Sequence, residues 1–395
     1  MNILFVLNRI GPYHQARFKK ISLAHKLFIL ETLPYSEEYD WNVNQSDCYK
    51  LFTLRKGRTS ETEPCLKYIK LDVNNVFKTC KIDAVVLTGW STLSRIYLLK
   101  IANKLKIPSI ILSDSRLTDT DVSRIFIKEF FKRKILKFFS SAIVAGKESK
   151  SYLEHLSFPS SKIFQPLDVV DNDLFFNKTN NIDLDEKKPF FLCISRLVEK
   201  KNIKFLLKTY EKYYCLGGKF RLVIIGGGNY FDELTKYKNN LKSSNLISIY
   251  PFMQLESIFE FYGKASYFIL PSKSDQWGLV VNEALAAGLP CIVSDACGCA
   301  VDLVKKNING WIFNSNDEIN LINIFFECQN KSKEDRLKMV NECYKIIKQY
   351  SLNSFLDAFN NSLNLVNRGE PISLIDKIYL NTLLLILNLK IVLKI

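Results

Sequence analysis

Histidine is scarce in this chain, with three residues at 14, 25 and 155, and the ten cysteines form no C-x-x-C pairs. The usual structural zinc spacings are therefore missing. "CGC" at 297–299 stands without a second pair or a nearby histidine, and no metal is expected. Several cysteines sit inside apolar runs, as Cys193 does in "FFLCIS". They read as reduced, mostly buried thiols of a cytosolic protein. The N-terminal "MNILFVLNRIG" is too short and wrongly flanked for a signal peptide and reads as a first strand. No uncharged run reaches the roughly 20 residues that a bilayer span requires. The C-terminal "IYLNTLLLILNLKIVLKI" comes closest, but lysines and asparagines interrupt it, which favours a surface over a span. The glycine run "IIGGGN" (224–229) lacks the G-x-G-x-x-G pattern and its following acidic residue, so a nicotinamide site is disfavoured.

What the chain does have is positive charge and apolar material. Its 395 residues carry a formal net charge of +15, and 47% of them are hydrophobic. The length suggests two domains at roughly 150 residues each. The charge points to an anionic partner: a phosphate-bearing small molecule, an acidic membrane surface or nucleic acid. No recognition-helix, RRM or zinc-finger pattern accompanies that charge, so nucleic acid is the poorest fit.

Strand-like and helix-like patterns alternate along the whole chain. In the first half "NILFVLN" (2–8), "DAVVLTG" (83–89), "SIILSD" (109–114) and "SAIVAG" (141–146) are strands, and a helix runs from about Val122 to Phe139. In the second half "FFLCIS" (190–195), "RLVIIGGG" (221–228), "LISIY", "SYFILP" and "PCIVSD" alternate with helices near 202–214, 230–242 and 254–263. This rhythm predicts an α/β fold of two Rossmann-like, doubly wound domains facing each other across a cleft. The polar, aperiodic "NKTNNIDLDEKK" is taken as a linker at 177–188, between domains at 1–176 and 189–350. The remainder, 351–395, holds an amphipathic helix at 352–366, expected to return toward the first domain, and the apolar tail. Ligands of such sheets bind beyond the carboxyl ends of the strands, so the loops there carry the candidate residues.

Four of those loops stand out. In "RLVEKKN", Arg196 and Lys201 lie five apart at a strand-to-helix junction, where a forked guanidinium and a point-charge ammonium suit a diphosphate. Two solvated surface charges would look the same. In "IIGGGN", Gly227 would let the backbone approach a ligand. "SDQWGLVVNEALAAGLP" places Asp275 in a loop, Gly278 before a helix starting at Leu279, and Glu283 about one turn in. The N–H groups of Leu279 and Val280 would point at the strand ends. A carboxylate in so apolar a helix needs a hydrogen-bonding partner, and vicinal sugar hydroxyls would serve. In "NRIGPYHQARF", Gly11 and Pro12 turn the chain after the first strand, and His14 opens the next helix as a polar contact. A lone histidine is more often structural.

"RIFIKEFFKRKILKFF" (124–139) is amphipathic, with six cationic residues against the single acid Glu129. It fits a helix lying on an anionic membrane, or equally a core helix with a solvated basic back.

Taken together, "ISRLVEKKNIKFLLKTY", "RLVIIGGG", "FILPSKSDQWGLVVNEALAAGLPCIVSDACGCAVDLV" and "NINGWIF" resemble, in order and spacing, the family-4 retaining glycosyltransferases of the GT-B fold. "NRIGPYHQARF", "SDSRLTD" and the segment from "SAIVAG" to "DNDLF" resemble the acceptor-side domain of one bacterial branch, so the resemblance covers roughly residues 1–366. It implies that Arg196 and Lys201 hold the donor diphosphate and that Glu283 binds the nucleotide ribose. The N–H groups after Gly278 would touch phosphate or sugar, and Gly11 would lie near the donor phosphates. Asp275 stands where the family usually has a glutamate that contacts the donor sugar, so the pair here reads D-x7-E and is one methylene shorter. Asp114, in "SDSRLTD", occupies the loop where many relatives place a histidine, and is an acceptor-side candidate with His14.

The function expected is transfer of a sugar, with retention, from a UDP- or GDP-linked donor to a glycan or lipid-linked acceptor in surface polysaccharide or lipopolysaccharide assembly. No metal or other cofactor is expected. The location expected is cytoplasmic, peripheral on the inner membrane face through 124–139 and 371–395. A GT-B epimerase or phosphorylase, and a nucleotide-sugar-binding scaffold without transfer, are the competing readings.

Overall fold

The computed structural model describes residues 1–33, 46–55, 62–119, 125–182, 188–365 and 374–393. The chain divides into two compact units, Met1–Leu167 with Leu352–Ile395, and Asp168–Ser351.

The first unit opens with β1 (Asn2–Leu7), α1 (Pro12–Ser22), β2 (Lys26–Glu31) and β3 (Tyr49–Thr53). It continues through α2 (Leu66–Thr79), β4 (Ala84–Thr88), α3 (Leu93–Lys104), β5 (Ser109–Ser113) and α4 (Ile125–Leu136). β6 (Ser141–Val144), α5 (Lys147–His155) and β7 (Ile163–Phe164) complete its first part. Its seven strands pair in parallel in the order β3-β2-β1-β4-β5-β6-β7. A parallel sheet covered on both faces needs nearly continuous apolar strands. β1 meets this, with Ile3, Leu4 and Val6 fully buried. Chain order reverses between β1 and β4, which makes their carboxyl ends the topological switch point.

The second unit runs α6 (Asn172–Thr179), β8 (Phe190–Ile194), α7 (Ile203–Cys215), β9 (Arg221–Ile225), α8 (Phe231–Asn239) and β10 (Ile247–Tyr250). α9 (Leu255–Lys264), β11 (Tyr267–Leu270), α10 (Leu279–Ala286), β12 (Cys291–Ser294), α11 (Ala300–Leu303) and β13 (Gly310–Phe313) follow. α12 (Glu318–Asn330) and α13 (Lys333–Ile347) close it. Its six strands are parallel in the order β10-β9-β8-β11-β12-β13, with the switch point between β8 and β11. The core is rich in aromatics: Phe191 meets Phe325 at 4.5 Å and Tyr267 meets Trp311 at 5.8 Å.

α14 (Leu352–Asn364) and α15 (Leu374–Leu393) belong to the first unit again. Phe359 stacks on Phe5 at 5.5 Å, and Ser141 Oγ donates to the Ser362 carbonyl at 3.2 Å.

Three differences from the sequence reading have physical causes. The expected linker at 177–188 is displaced: the division falls at Leu167/Asp168, and α6 belongs to the second unit. Phe175 of α6 is buried there against Phe259 and Tyr262 at 5.3 and 5.8 Å. Residues 177–179 of the polar run form the end of α6, and residues 183–187 lie outside the described residues. β2 and β3 extend the first sheet by two strands, since "KLFILE" follows α1 with no glycine or proline to mark it. Finally, the described apolar side chains of the stretch 124–139 divide into two groups. Ile135, Leu136, Phe138 and Phe139 point into the core while Phe130 and Phe131 are exposed. Arg124 and the side chains of 125–128 lie outside the described residues.

Candidate functional site

In the second unit the loops after β8, β9 and β11 are stitched together by backbone hydrogen bonds. Ser195 N–H donates to the Ile225 carbonyl at 3.1 Å, and Leu197 N–H to Gly227 at 2.7 Å. Lys273 N–H reaches the Lys200 carbonyl at 2.8 Å. The glycines make this possible. A Cβ on Gly226 would lie 1.8 Å from the Ser195 carbonyl oxygen, and one on Gly228, at φ +146°, would lie 2.5 Å from that of Leu197. Two of the three glycines thus serve loop-to-loop packing, and Gly227 contributes its carbonyl to Leu197.

Lys201 ends a 3-10 turn, Glu199–Lys201, just before α7, and is buried. The next residue, Asn202, is left-handed at φ 59° and its side-chain amide donates to the Ser315 carbonyl at 3.0 Å, which fixes the turn. The Lys201 ammonium forms an ion pair with the Asp275 carboxylate. Asp275 is held in turn by its backbone: its N–H donates to Ala296 at 3.2 Å, and its carbonyl accepts from Gly298 N–H at 3.0 Å. Arg196, half-buried, lies in the same loop as Lys201.

Gly278 caps α10 in the left-handed region at φ +103°. A Cβ there would meet Leu270 Cδ2 at 2.9 Å and would sit 3.7 Å from Asp275 Oδ2. The Asp275 carboxylate therefore stands beside the helix N-terminus. Leu279 and Val280 follow Gly278, where N–H groups point out of the helix and the dipole favours negative charge. Glu283 lies one turn further along α10 and is 2% exposed. Tyr262, fully buried on α9, donates its hydroxyl to Glu283 Oε2 at 2.6 Å. α10 is further pinned through Asn282, which accepts from the Trp277 indole at 2.9 Å and donates to the Asp168 carbonyl at 3.1 Å. So the structure brings Lys201, Asp275 and Gly278 together at one helix end, with Glu283 on the same helix. Tyr262 and Trp277 were missed by the sequence reading, because an aromatic in an apolar run signals only core.

In the first unit, Gly11 is the N-cap of α1, and Pro12 occupies the first helical position. The Gly11 N–H donates to His14 Nδ1 at 3.1 Å. Burial, reinforced by the Arg17 charge, lowers the His14 imidazole to about 3. The ring is therefore neutral, with its proton on Nε2. Asp114 follows β5, and β4 lies between β1 and β5, so Gly11, His14 and Asp114 share one sheet edge. That edge also holds Arg95 of α3, which sequence reasoning missed. Its buried guanidinium donates to Asn8 Oδ1 at 2.8 Å, Thr88 Oγ1 at 3.0 Å and Thr92 Oγ1 at 2.9 Å. It ties the ends of β1 and β4 to the start of α3. Burial lowers its affinity for its proton, partly offset by the nearby Glu63.

Among the described residues no group of three or more His, Cys, Asp or Glu side chains could hold a metal ion.

Two doubly wound, parallel-sheet α/β units are the architecture of the GT-B fold. Residues 175–345 match the family model described as Glycosyl transferases group 1. An uncharacterised glycosyltransferase of Methanocaldococcus jannaschii is 28% identical over 144 residues, 36% of each chain. The alpha-monoglucosyldiacylglycerol synthase of Acholeplasma laidlawii is 31% identical over 130 residues, 32% of each chain. The matched region thus spans about a third of these curated relatives. Over nearly the full length, the crystal structure of Anabaena HepE in complex with UDP shares the fold at a TM-score of 0.69. That likeness covers 92% of this chain and 100% of HepE, at 13% identity.

Proposed function

We propose that this protein is a retaining glycosyltransferase that moves a sugar from a UDP- or GDP-linked donor to a glycan or lipid-linked acceptor in surface polysaccharide assembly. The observation that carries this reading is the placement of Lys201 and Asp275 at the N-terminus of α10, with Glu283 one turn along the same helix. The UDP in the HepE neighbour's structure supports the donor class.

Each residue then has a role. Arg196, Lys201 and the Leu279 and Val280 N–H groups receive the diphosphate and offset the charge that grows on it as the glycosidic bond breaks. Glu283, oriented by Tyr262, accepts hydrogen bonds from the ribose hydroxyls. Asp275 contacts the donor sugar. The ion pair keeps Lys201 in place before the donor arrives, and the ammonium, with three donors, turns one of them to phosphate while Asp275 turns to a sugar hydroxyl. Positioning and electrostatic stabilisation carry the rate without a metal or other cofactor. The acceptor belongs to the first unit, near His14 and Asp114. A lipid-linked acceptor places the protein on the cytoplasmic face of an anionic membrane, with basic residues of 124–139 and the 371–395 segment against it.

One observation favours the scaffold alternative: Lys201 is already neutralised by Asp275. A transfer assay with a panel of UDP- and GDP-sugars decides between the two. Transfer with the product anomer matching the donor supports the proposal. Nucleotide-sugar binding without transfer supports the scaffold, and an inverted product removes the retaining mechanism.

A further inference from the structure

α15 packs along α3 with one side only. Leu380 and Leu384 are buried in the core of the first unit, and Tyr379, Leu383, Leu387 and Ile391 pack against it. Asn388 Oδ1 accepts the Leu66 N–H at 2.8 Å, and the Tyr379 hydroxyl donates to the Phe131 carbonyl at 3.1 Å. The opposite side is also apolar. Ile378, Leu385, Ile386, Leu389 and Val392 are each more than two-fifths exposed. At about 100° per residue they fall in one sector roughly 120° wide and about 21 Å long. Thr382 lies inside that sector, and its hydroxyl bonds its own helix at the Ile378 carbonyl, 3.0 Å away. A surface helix of a globular protein ordinarily turns polar residues outward.

The surroundings of this stripe are cationic. Lys377 and Lys390 flank it on the two sides of the helix. Lys100 of α3 donates to Asn381 of α15, and Lys70 of α2 and Lys104 of α3 lie close enough to act on the Lys100 charge. Phe131 stacks on Tyr379 at 6.1 Å, which places exposed Phe130 and Phe131 beside the start of the stripe, and Lys134 lies over the Phe130 ring at 5.6 Å. The one acid in the described part of α4, Glu129, is turned inward to His155 at 3.1 Å. No described helix is long and apolar enough to cross a membrane.

We infer that the outer face of α15, with Phe130 and Phe131 of α4, is a docking surface that lies flat in the headgroup region of an anionic lipid bilayer. An apolar stripe rimmed by lysines matches that medium: the stripe enters the acyl boundary and the ammonium groups stay with the phosphates. A second copy of the chain is the poorer occupant, because it would bring the same lysines against themselves. The inference deepens the membrane location in the proposed function and rests on that reading for its setting, but its test does not depend on transfer.

The test is sedimentation of the full chain with vesicles of phosphatidylcholine alone and with about a third phosphatidylglycerol. The wild type is expected to pellet with the anionic vesicles and not with the neutral ones, and high salt is expected to release it. Ile386→Asp with Leu389→Asp is expected to cut the pelleted fraction at least about fivefold, and Lys70→Gln with Lys104→Gln about threefold, by loss of the surface attraction. A wild-type-like melting temperature and nucleotide-sugar shift show that each variant is folded. Leu389→Trp supplies a second readout, quenching of its fluorescence by brominated lipid. Wild-type pelleting by the aspartate variant, no pelleting of the wild type, or a solution dimer that this variant makes monomeric would overturn the inference. Any of these with an intact nucleotide-sugar shift leaves the donor reading standing. Vesicle binding with no such shift leaves this inference standing alone.

Discussion

The Tyr262 hydroxyl meets the Glu283 carboxylate at 2.6 Å, and both side chains are buried. The carboxylate is thus oriented before anything binds to it. A phenol donates one hydrogen bond and leaves the carboxylate other lone pairs to offer. Tyr262→Phe should raise KM for the nucleotide sugar about fivefold while kcat stays within about twofold, because a uniform binding contact is loosened. The melting temperature should fall by the equivalent of about 1–2 kcal/mol, the cost of a buried carboxylate losing a partner. Steady-state kinetics and thermal unfolding check both; an unchanged KM would make Tyr262 a packing residue only.

The Lys201–Asp275 pair separates stability from binding. Lys201→Met leaves a mostly buried carboxylate unpaired and should cost about 3 kcal/mol, and donor binding should vanish. Combining it with Asp275→Leu should restore most of the stability without restoring donor binding. Denaturant unfolding and donor calorimetry on the two variants give the answer. Recovered donor affinity in the double variant would contradict the role given to Lys201.

Three glycines are expected to respond differently to alanine. Gly226→Ala puts a methyl 1.8 Å from a backbone oxygen, and Gly278→Ala combines φ +103° with a 2.9 Å approach to Leu270. Each should destabilise by at least about 1–3 kcal/mol. Gly11 has an ordinary extended conformation at φ −127°, and its added methyl would meet only His14 Nδ1 at 3.6 Å. Gly11→Ala should cost about 1 kcal/mol or less. Unfolding curves rank the three.

His14 makes stability depend on pH. Its imidazole is lowered from 6.5 to about 3, so the unfolded chain binds a proton there that the folded chain refuses. The contribution is fully present above about pH 6.5 and drains away as pH falls toward 3, by up to about 1.4 kcal/mol per pH unit. His14→Gln removes that titration. The difference in stability between wild type and variant should shrink from pH 7 to pH 4; a constant difference would show that the ring titrates normally.

Much of this architecture was legible because parallel strands covered on both faces are apolar runs of fixed length. "NILFVL" and "FFLCI" could hardly be anything else. The positions of Lys201 and Asp275 were legible for a different reason: cations and carboxylates placed after such runs fall at the carboxyl edge of a sheet. Tyr262 and Arg95 were hidden. A tyrosine in "FEFYGK" reads as core until Glu283 is found beside it. An arginine in "STLSRIYLL" reads as surface until Asn8, just after β1, and Thr88, at the end of β4, close on it from 87 and 7 positions away. β2 was missed because no turn residue announces it, and the domain division because Leu167/Asp168 falls within the apolar "QPLDVVD", which no polar run marks.

The first unit is assembled from two separated lengths of chain, and Asp168–Ser351 lies between them. During synthesis the second unit therefore emerges whole while the first still lacks α14 and α15. The apolar strip that Leu380 and Leu384 will cover stays open until the ribosome has made the whole of the second unit. Any nascent first unit is obliged to wait, and a stop codon near residue 350 would strand it half closed beside a finished neighbour.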